Sequence, residues 1–383
     1  RRYRERENHI SSDSWPIYIS LQKDGILFKM RRTQDLPDKE SATMFFQDCK
    51  LAHQAQITGI SHSVKEILPP DLLDLTQLQK EANIRYGFTA SEVYDIAQSL
   101  YEKKLISYPR TSSRYLTEDV FDSLPPIMAR LLSWELFPAA KGTGGIDISG
   151  LSHHIINAEK ANVHHAIIIT GIRPGNLSEK EILVYRLVAG RMLEAFMPPC
   201  RIETTNVEAV CAAQHFKAEQ TRIIEAGWHD VFMRSDMVPK SGYSVNELPE
   251  VKKGDNLNVC GCNMVHKKQL PVDPFTDAEL VEYMELNGLG TVSSRTNIIR
   301  TLVNRKYIRY SRKYIVPTPK GMFTYETIRG KKIADTSLTA DWEKQLAGLE
   351  SGMITGQDFL NRIRTLAKEM TDDIFNTYST KEE

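Results

Sequence analysis

The chain has 383 residues, 41% of them hydrophobic, which predicts two or three packed domains rather than one. Lys plus Arg and Asp plus Glu both number 49, so the formal net charge of zero excludes a chain that is basic or acidic throughout. No apolar run is long enough to span a membrane and no signal peptide is recognisable, so we expect no membrane partner.

The five cysteines are scattered and odd in number, which is typical of reduced cytoplasmic thiols rather than of a disulfide framework. Cys260 and Cys262 are separated by one glycine, too close for half of a zinc ribbon, and no second pair follows. We therefore expect no structural metal. The first residue is Arg1 rather than methionine, which suggests a fragment of a longer protein.

The beginning of the chain, residues 14–66, has the pattern of strands and one helix. Apolar and polar residues alternate over 18–22 before Asp24-Gly25, which predicts a β-hairpin. Pro69-Pro70 then marks the boundary to a helical segment.

Two helices and a short strand are predicted after this boundary. Thr76 and Gln79 suggest a capping-box start for the first helix, and Gly87 its end. The second helix starts at Thr89 and carries one apolar stripe. The chain then enters a strand that contains Tyr108. The order helix, turn, helix, strand predicts a winged-helix unit.

The middle of the chain combines a helix with a β-rich segment. Ser178 and Glu181 open a helix over 178–197, and Pro198-Pro199 stops it. Alternating apolar residues and glycine turns make 201–270 β-rich.

A second winged-helix pattern follows residue 274. The first expected helix starts at Thr276 and the second at Ser293 or Ser294. A hairpin that turns at Ser311-Arg312 follows, and Thr318-Pro319 starts a further helix. Segments 100–108 and 302–310 also match in register, because leucine, a basic residue, isoleucine and tyrosine recur. Tyr108 and Tyr310 are therefore predicted at equivalent points of two copies.

A candidate nucleophile comes from the run that begins at Tyr108. Its phenol is followed by Arg110 and Arg114, and guanidinium groups bind phosphate oxygens and favour a phenolate. The pattern suits attack on a phosphodiester, although phenol is a weak nucleophile with an ordinary pKa of about 10. By itself the motif is more typical of a strand tyrosine followed by a Pro turn with solvated arginines. Tyr310 lacks the Pro-Arg-Thr sequence that distinguishes Tyr108.

Two further motifs concern phosphate. His164-His165 opens an apolar run and suits phosphate binding or proton transfer, or alternatively the cap of a buried strand, whereas His153-His154 is read as surface. Residues 291–321 hold eight Lys or Arg, no acid, and three interspersed tyrosines, which indicates a nucleic-acid surface rather than a solvated basic face. The glycine-rich run 141–145 lacks a phosphate-loop ending and is expected to be a flexible loop.

Together these motifs resemble the type IA DNA topoisomerases, in particular bacterial topoisomerase III. The matching segments follow one another from about residue 14 to about residue 365, and they are 74–83, 96–102, Tyr108 to Leu116, His164 to Ile168, Gly288 to Thr291 with Ser294-Arg295, Pro317 to Gly321, and Leu338 to Glu343. Several ordered motifs are far more specific than any one of them.

The resemblance implies an α+β multidomain fold, the toroid-like gate region of such an enzyme. A β-rich arch would comprise residues 1–66 and 176–270. Two winged-helix (CAP-like) domains would comprise residues 67–175, with the active-site tyrosine, and 271–383.

The resemblance also implies residue roles. Tyr108 would cut one DNA strand and hold its 5′ phosphate, Arg110 would position the scissile phosphate, and His164 would contact a neighbouring phosphate. The bond energy stays in the phosphotyrosine, so rejoining needs no ATP. Further DNA contacts are expected from Thr111, Ser112, Arg114, His165, Arg295, Arg300, Lys306 and Arg309.

Several departures qualify this prediction. Ser112 replaces the usual aspartate, and Ile169 replaces the usual proline. The N-terminal Toprim domain, which supplies a catalytic Glu, a Lys and the Mg²⁺ ligands, is expected to be absent, as is the first part of the second winged-helix domain. We therefore expect single-stranded DNA binding, no metal site of the chain's own, and little or no cleavage by the chain alone.

Two other functions are alternatives to a topoisomerase. A catalytically retired module that binds single-stranded DNA is the stronger, because of Ser112. A tyrosine recombinase or relaxase is weaker, because the chain lacks a wider Arg and His set and a metal-binding His triad. The expected partner is single-stranded DNA, and a helicase is a possible second partner. The protein is expected to be a monomer in the cytoplasm, associated with the nucleoid.

Overall fold

A computed structural model describes residues 2–134, 155–161, 164–232 and 240–379. Two compact units share the chain. The first comprises Arg1–Pro70, Trp134–Ser152 and Leu193–Asp273, and the second comprises the remaining segments. The glycine-rich run 141–145 and His153-His154 lie outside the described residues. Across the described ranges, no helix combines the length and apolar character needed to cross a bilayer.

The first unit is built on a closed barrel of six antiparallel strands in the order β2-β3-β6-β5-β4-β7. Its elements are α1 (Arg2–Glu7), β1 (Asp13–Ser14), β2 (Ile17–Lys23), β3 (Ile26–Arg32), α2 (Lys39–Leu51), β4 (Gln54–Ile67), β5 (Cys200–Cys211), β6 (Gln214–Glu225), a 3₁₀ turn (Gly227–Val231), β7 (Asn256–Met264) and β8 (Lys267–Lys268).

Alternation along the strands fills the barrel. Ile17, Ile19 and Leu21 of β2 are fully buried, because successive side chains of a strand point to opposite faces. The predicted hairpin is confirmed: β2 pairs with β3 across Asp24 and Gly25, which both have positive φ. The β-rich segment after residue 200 is confirmed as β5, β6 and β7.

The second unit is mainly helical. Its elements are α3 (Leu75–Tyr86), α4 (Ala90–Glu102), α5 (Glu118–Asp122), α6 (Leu124–Ser133), α7 (Glu179–Ala195, whose last three residues belong to the first unit), α8 (Asp277–Leu286), α9 (Val292–Asn304), β9 (Ile308–Ser311), β10 (Tyr314–Pro317), α10 (Pro319–Ile328), a 3₁₀ turn (Lys332–Ala334), α11 (Thr336–Glu350) and α12 (Gly356–Ser379).

Four predicted helix starts are confirmed and two were wrong. Thr89, Ser178 and Thr276 each form a capping box with the glutamate three residues later, and Thr318 accepts from the Gly321 amide. Helix α3 begins one residue earlier than predicted, because Asp74 accepts from the Gln77 amide and outcompetes Thr76 as its cap. Helix α9 begins after Thr291, and Ser294 is the third residue of its first turn rather than its cap.

The strand predictions need two corrections of detail. Strands β9 and β10 turn at Arg312-Lys313 rather than Ser311-Arg312, since Ser311 pairs with Tyr314 and Arg312 takes the positive φ of the turn. Tyr108 lies in a loop rather than a strand, because only Ile106 makes a ladder contact, with Ile169.

The predicted internal repeat is present in the backbone. Lys104 and Lys306 both adopt a left-handed conformation after α4 and α9, with φ of 59° and 61°. A threonine hydroxyl then donates to each lysine carbonyl, from Thr170 at 2.7 Å and from Thr318 at 2.6 Å. The two copies therefore share a helix end, a turn and the threonine that closes it.

The copies differ in what joins their paired strands. Ile308 pairs with Pro317 across a short hairpin, whereas the equivalent pair Ile106 and Ile169 encloses about sixty residues. Tyr108 lies at the start of that long segment. The segment that carries the predicted active site is thus an expansion of the hairpin found in the second copy.

Candidate active site

The ring of Tyr108 is held between two other aromatic rings. Its centroid lies 5.4 Å from that of Tyr101 in an edge-on arrangement and 4.5 Å from that of His164. Tyr101 projects from the last turn of α4, and His164 lies on an exposed loop. The structure therefore brings together two residues that are 56 positions apart and were both predicted to contact phosphate.

The guanidinium of Arg110 rests on helix α4. Its Cζ lies 5.1 Å from the centre of the Tyr94 ring, and Nη2 donates to Gln98 Oε1 at 3.3 Å. Tyr94, Gln98 and Tyr101 are spaced i, i+4 and i+7, so one face of α4 supports both Arg110 and Tyr108.

One donor of Arg110 is left over. Its Nε is buried and has no hydrogen-bond partner within the described residues. A buried unpaired donor on a guanidinium is costly, and an arriving phosphate oxygen is the kind of acceptor such a group binds.

The loop after Tyr108 is fastened by Thr111. The Thr111 side chain is 4% exposed, and its hydroxyl donates to the His164 carbonyl at 2.9 Å. Its own carbonyl accepts from the Leu75 amide at the start of α3. His165 Nδ1 lies 2.7 Å from the Ala166 carbonyl, so that nitrogen carries the proton. Thr111 thus fastens the two loops together, and the DNA contacts of Thr111 and His165 stay predictions.

Arg114 is paired with a buried carboxylate. Its Nε donates to Asp74 Oδ2 at 2.7 Å, and Asp74 is only 1% exposed because it also caps α3. Truncating one partner of such a pair leaves a buried charge uncompensated. Asp74 therefore ties the segment after Tyr108 to the first turn of α3.

A cleft of about 380 Å³ opens beside this pair. Ser112 lines it together with two cations and four carboxylates, which are Arg114, Lys160, Asp71, Asp74, Glu159 and Glu285. Burial, reinforced by the charge of Asp74, raises the pKa of Glu285. The excess of carboxylates makes this cleft a poor place for a phosphate group.

The four basic residues predicted further along the chain have different surroundings. Arg295 is buried, donating to Thr76 Oγ1 at 3.3 Å and pairing with Glu285. Arg300 pairs with Asp95 at 2.8 Å. Lys306 and Arg309 are exposed, and neither forms an ion pair among the residues the structure describes. Their roles in DNA binding stay predictions.

Four residues that shape this site were not predicted from the sequence: Asp74, Tyr94, Gln98 and Glu285. Asp74 precedes α3 in the manner of a helix cap, which was a usable signal. Tyr94 and Gln98 lie beside the apolar stripe of α4, next to Tyr101, but only the path of the later loop reveals what they contact.

Mg²⁺ is implied by the resemblance, so we tested whether the chain could hold it. Among the described residues no group of three or more His, Cys, Asp or Glu side chains is arranged to bind a metal ion. The described residues therefore do not fit the ion.

The family model described as DNA topoisomerase matches residues 1–361, nearly the whole chain. The chain belongs to the type IA DNA topoisomerase family. It is 32% identical over 344 residues to DNA topoisomerase 3 of Bacillus licheniformis, covering 84% of this chain and 47% of that protein. DNA topoisomerase 3 of Bacillus subtilis is 30% identical, over 85% of this chain and 48% of the relative.

The fold agrees with this membership. Full-length topoisomerase I of Thermotoga maritima superposes with a TM-score of 0.74 at 22% identity, over 96% of this chain and 60% of that one. At this identity the likeness establishes the fold alone. The chain spans about half the length of the curated relatives that it matches.

Proposed function

We propose that this chain carries the nucleophile and the phosphate-binding arginine of a topoisomerase 3-like reaction on single-stranded DNA. The observation that carries the proposal is the support of Tyr108 and Arg110 by one face of α4, with His164 against the Tyr108 ring. A structural tyrosine and a solvated arginine would not require a shared support.

The proposed reaction is a transesterification. Tyr108 Oη attacks the phosphorus of one phosphodiester, the bond to the 3′ oxygen breaks, and the phenol proton ends on that leaving oxygen. The DNA 5′ phosphate is then esterified to Tyr108. Arg110 neutralises charge on the phosphate oxygens, and rejoining runs the same steps backwards without ATP. His164 is close enough to the Tyr108 ring to contact the next phosphate.

DNA binding is proposed to involve the basic end of the second helical repeat. Lys306 and Arg309 are exposed there. The Lys320 ammonium lies 4.5 Å from the centre of the Tyr307 ring. Exposed cations follow a phosphate backbone, and aromatic faces can stack on unpaired bases. Single-stranded DNA satisfies both kinds of contact, whereas a paired duplex hides its base faces.

The proposal is tested by binding and by covalent trapping with the full chain. Fluorescence anisotropy should give tighter binding to a labelled single-stranded oligonucleotide than to the same sequence as a duplex. An oligonucleotide with sulfur in place of the scissile 3′ oxygen supplies a leaving group that needs no acid. It should form a denaturant-stable adduct that Tyr108→Phe abolishes. Retained binding without any adduct, or an adduct that survives Tyr108→Phe, contradicts the proposal.

A second candidate is a binding module that no longer cleaves DNA. Ser112 favours it, because family members usually have aspartate there and Ser112 is exposed in the cleft beside the Arg114–Asp74 pair. The same adduct assay on Ser112→Asp separates the two functions. A large gain in adduct would show that serine impairs catalysis. An unchanged yield would remove this argument for a retired enzyme.

A further inference from the structure

Three of the five cysteines meet inside the barrel of the first unit. Cys49 on α2 and Cys211 at the end of β5 are fully buried in its core, and Cys262 on β7 packs against the same cluster while remaining partly exposed. All five thiols are free. Three thiols in one small core are more than apolar packing requires, since alanine or valine would fill the same space.

Cys49 is the centre of this cluster. Interaction with the thiols of both Cys211 and Cys262 raises the pKa of Cys49. An independent contact places Cys262 beside the same helical turn, because its Sγ lies 3.8 Å from the carbonyl oxygen of Phe46, one turn before Cys49. Helix α2 also packs directly on β7. Cys49 and Cys262 therefore lie on the two sides of one packed interface between α2 and β7.

Only Cys262 combines this contact with access to solvent. The hydrogen bond from Cys49 lowers the pKa of Cys262, which favours its thiolate, while burial opposes the shift. Thiolate character and access together decide which cysteine a peroxide oxidises first. Cys260, two residues earlier, is exposed on the other face of β7, because an irregularity in the pairing with β2 makes Cys260 an extra residue there, and its Sγ lies 3.7 Å from Gln22 Oε1. It provides a matched control on the same strand.

We propose that Cys262 and Cys49 form a peroxide-sensitive dithiol that closes to a disulfide between β7 and α2. Peroxide first oxidises the Cys262 thiolate to a sulfenic acid and is reduced to water. The Cys49 sulfur then attacks the Cys262 sulfur, its S–H proton leaves with the departing hydroxyl as a second water, and the S–S bond forms. Cys211 stays reduced and next to the bridge, where a thiol can reopen it by exchange.

Peptide mapping tests this proposal on the full chain. The reduced protein is treated with hydrogen peroxide, free thiols are alkylated, and tryptic peptides are analysed without reduction. Cleavage after Lys and Arg places Cys49 in peptide 40–50 and both Cys260 and Cys262 in peptide 254–267. We expect these two peptides to be linked, with the loss of two hydrogens. The link should persist in Cys260→Ser and disappear in Cys262→Ser and in Cys49→Ser.

Thermal unfolding supplies the second readout. Oxidation should raise the unfolding midpoint of the wild type by several degrees and leave that of Cys262→Ser unchanged, because a bridge restricts the unfolded chain. Full alkylation of all five thiols after peroxide would overturn the proposal. So would a link that requires Cys260, or one that joins Cys49 to Cys211 in peptide 202–217.

Discussion

Tyr108 and Tyr310 follow the same left-handed turn in the two copies of the repeat, yet their side chains have opposite surroundings. Tyr310 lies beside the Asp277 carboxylate, which is 2% exposed, and burial together with that charge raises the pKa of Tyr310. The Tyr108 ring lies between those of Tyr101 and His164, and its hydroxyl makes no hydrogen bond within the described residues. Tyr310 therefore stabilises the folded structure, whereas the hydroxyl of Tyr108 is available to react.

Removing the two hydroxyl groups should therefore affect stability differently. Tyr310→Phe leaves the buried Asp277 without its partner and should lower the free energy of unfolding by about 1–3 kcal/mol. Tyr108→Phe should change it by less than about 0.5 kcal/mol. Urea unfolding of the two variants measures both values. Equal losses would contradict the division of roles.

Glu181 should make stability depend on acid pH. Hydrogen bonds from Lys103, the Ser178 amide and Ser99 lower the pKa of Glu181 from 4.5 to about 2. A depressed carboxyl pKa contributes stability above pH 4.5 and loses it as pH falls towards 2. Glu181→Gln should cost about 2 kcal/mol at pH 7, after allowance for the half-exposed Lys103.

The control for this prediction is Glu179→Gln, an exposed carboxylate on the same helical turn. Urea unfolding measures the free energy of unfolding between pH 7 and pH 3. The difference between the wild type and Glu181→Gln should become smaller as the pH falls, and the control should show no such difference. A gap that is independent of pH would refute the assignment.

Tyr94 should act on catalysis through Arg110. Tyr94→Leu removes the ring under the guanidinium and should slow adduct formation about 3- to 30-fold, while DNA affinity stays unchanged. Tyr94→Phe keeps the ring and should retain the rate within about twofold. If phenylalanine is as slow as leucine, or if both variants lose binding instead of rate, Tyr94 does not position Arg110. This prediction depends on the proposed function.

The predicted DNA-binding cations should contribute differently to the salt dependence of DNA affinity. On single strands each phosphate contact adds about 0.7 to the slope of log affinity against log salt. Lys306→Gln and Arg309→Gln should each reduce the slope by about that amount. Arg300→Gln should reduce it less, because Asp95 already pairs with Arg300. Anisotropy titrations at several salt concentrations measure these slopes, and an effect of Arg300 as large as that of Arg309 would contradict the ranking.

Much of the fold could be predicted because local signals agree with packing. Threonine followed by a glutamate three residues later located α4 and α8, and alternation before Asp24-Gly25 located the first hairpin. Errors of one or two residues arose where several cap-forming residues compete, as Asp74 does with Thr76.

The site was harder to predict because its contacts span long distances along the chain. Tyr108 and Arg110 follow from a short motif, but the Thr111 hydroxyl bonds to a carbonyl 53 residues later. The sequence also marks Arg295 and Arg309 as equivalent basic residues, although Glu285 covers the first and the second is exposed. Charge patterning does not distinguish a cation that stabilises a core from one that can bind phosphate.

The central claim concerns which tyrosine becomes covalently attached to DNA. The most direct measurement is tandem mass spectrometry of the adduct formed with the 3′-sulfur oligonucleotide, after nuclease and trypsin digestion. The proposal predicts a 5′-nucleotide phosphate on Tyr108 and none on Tyr310, its counterpart in the repeat. Attachment at Tyr310 or at any other residue, or an adduct through a 3′ phosphate, would contradict it.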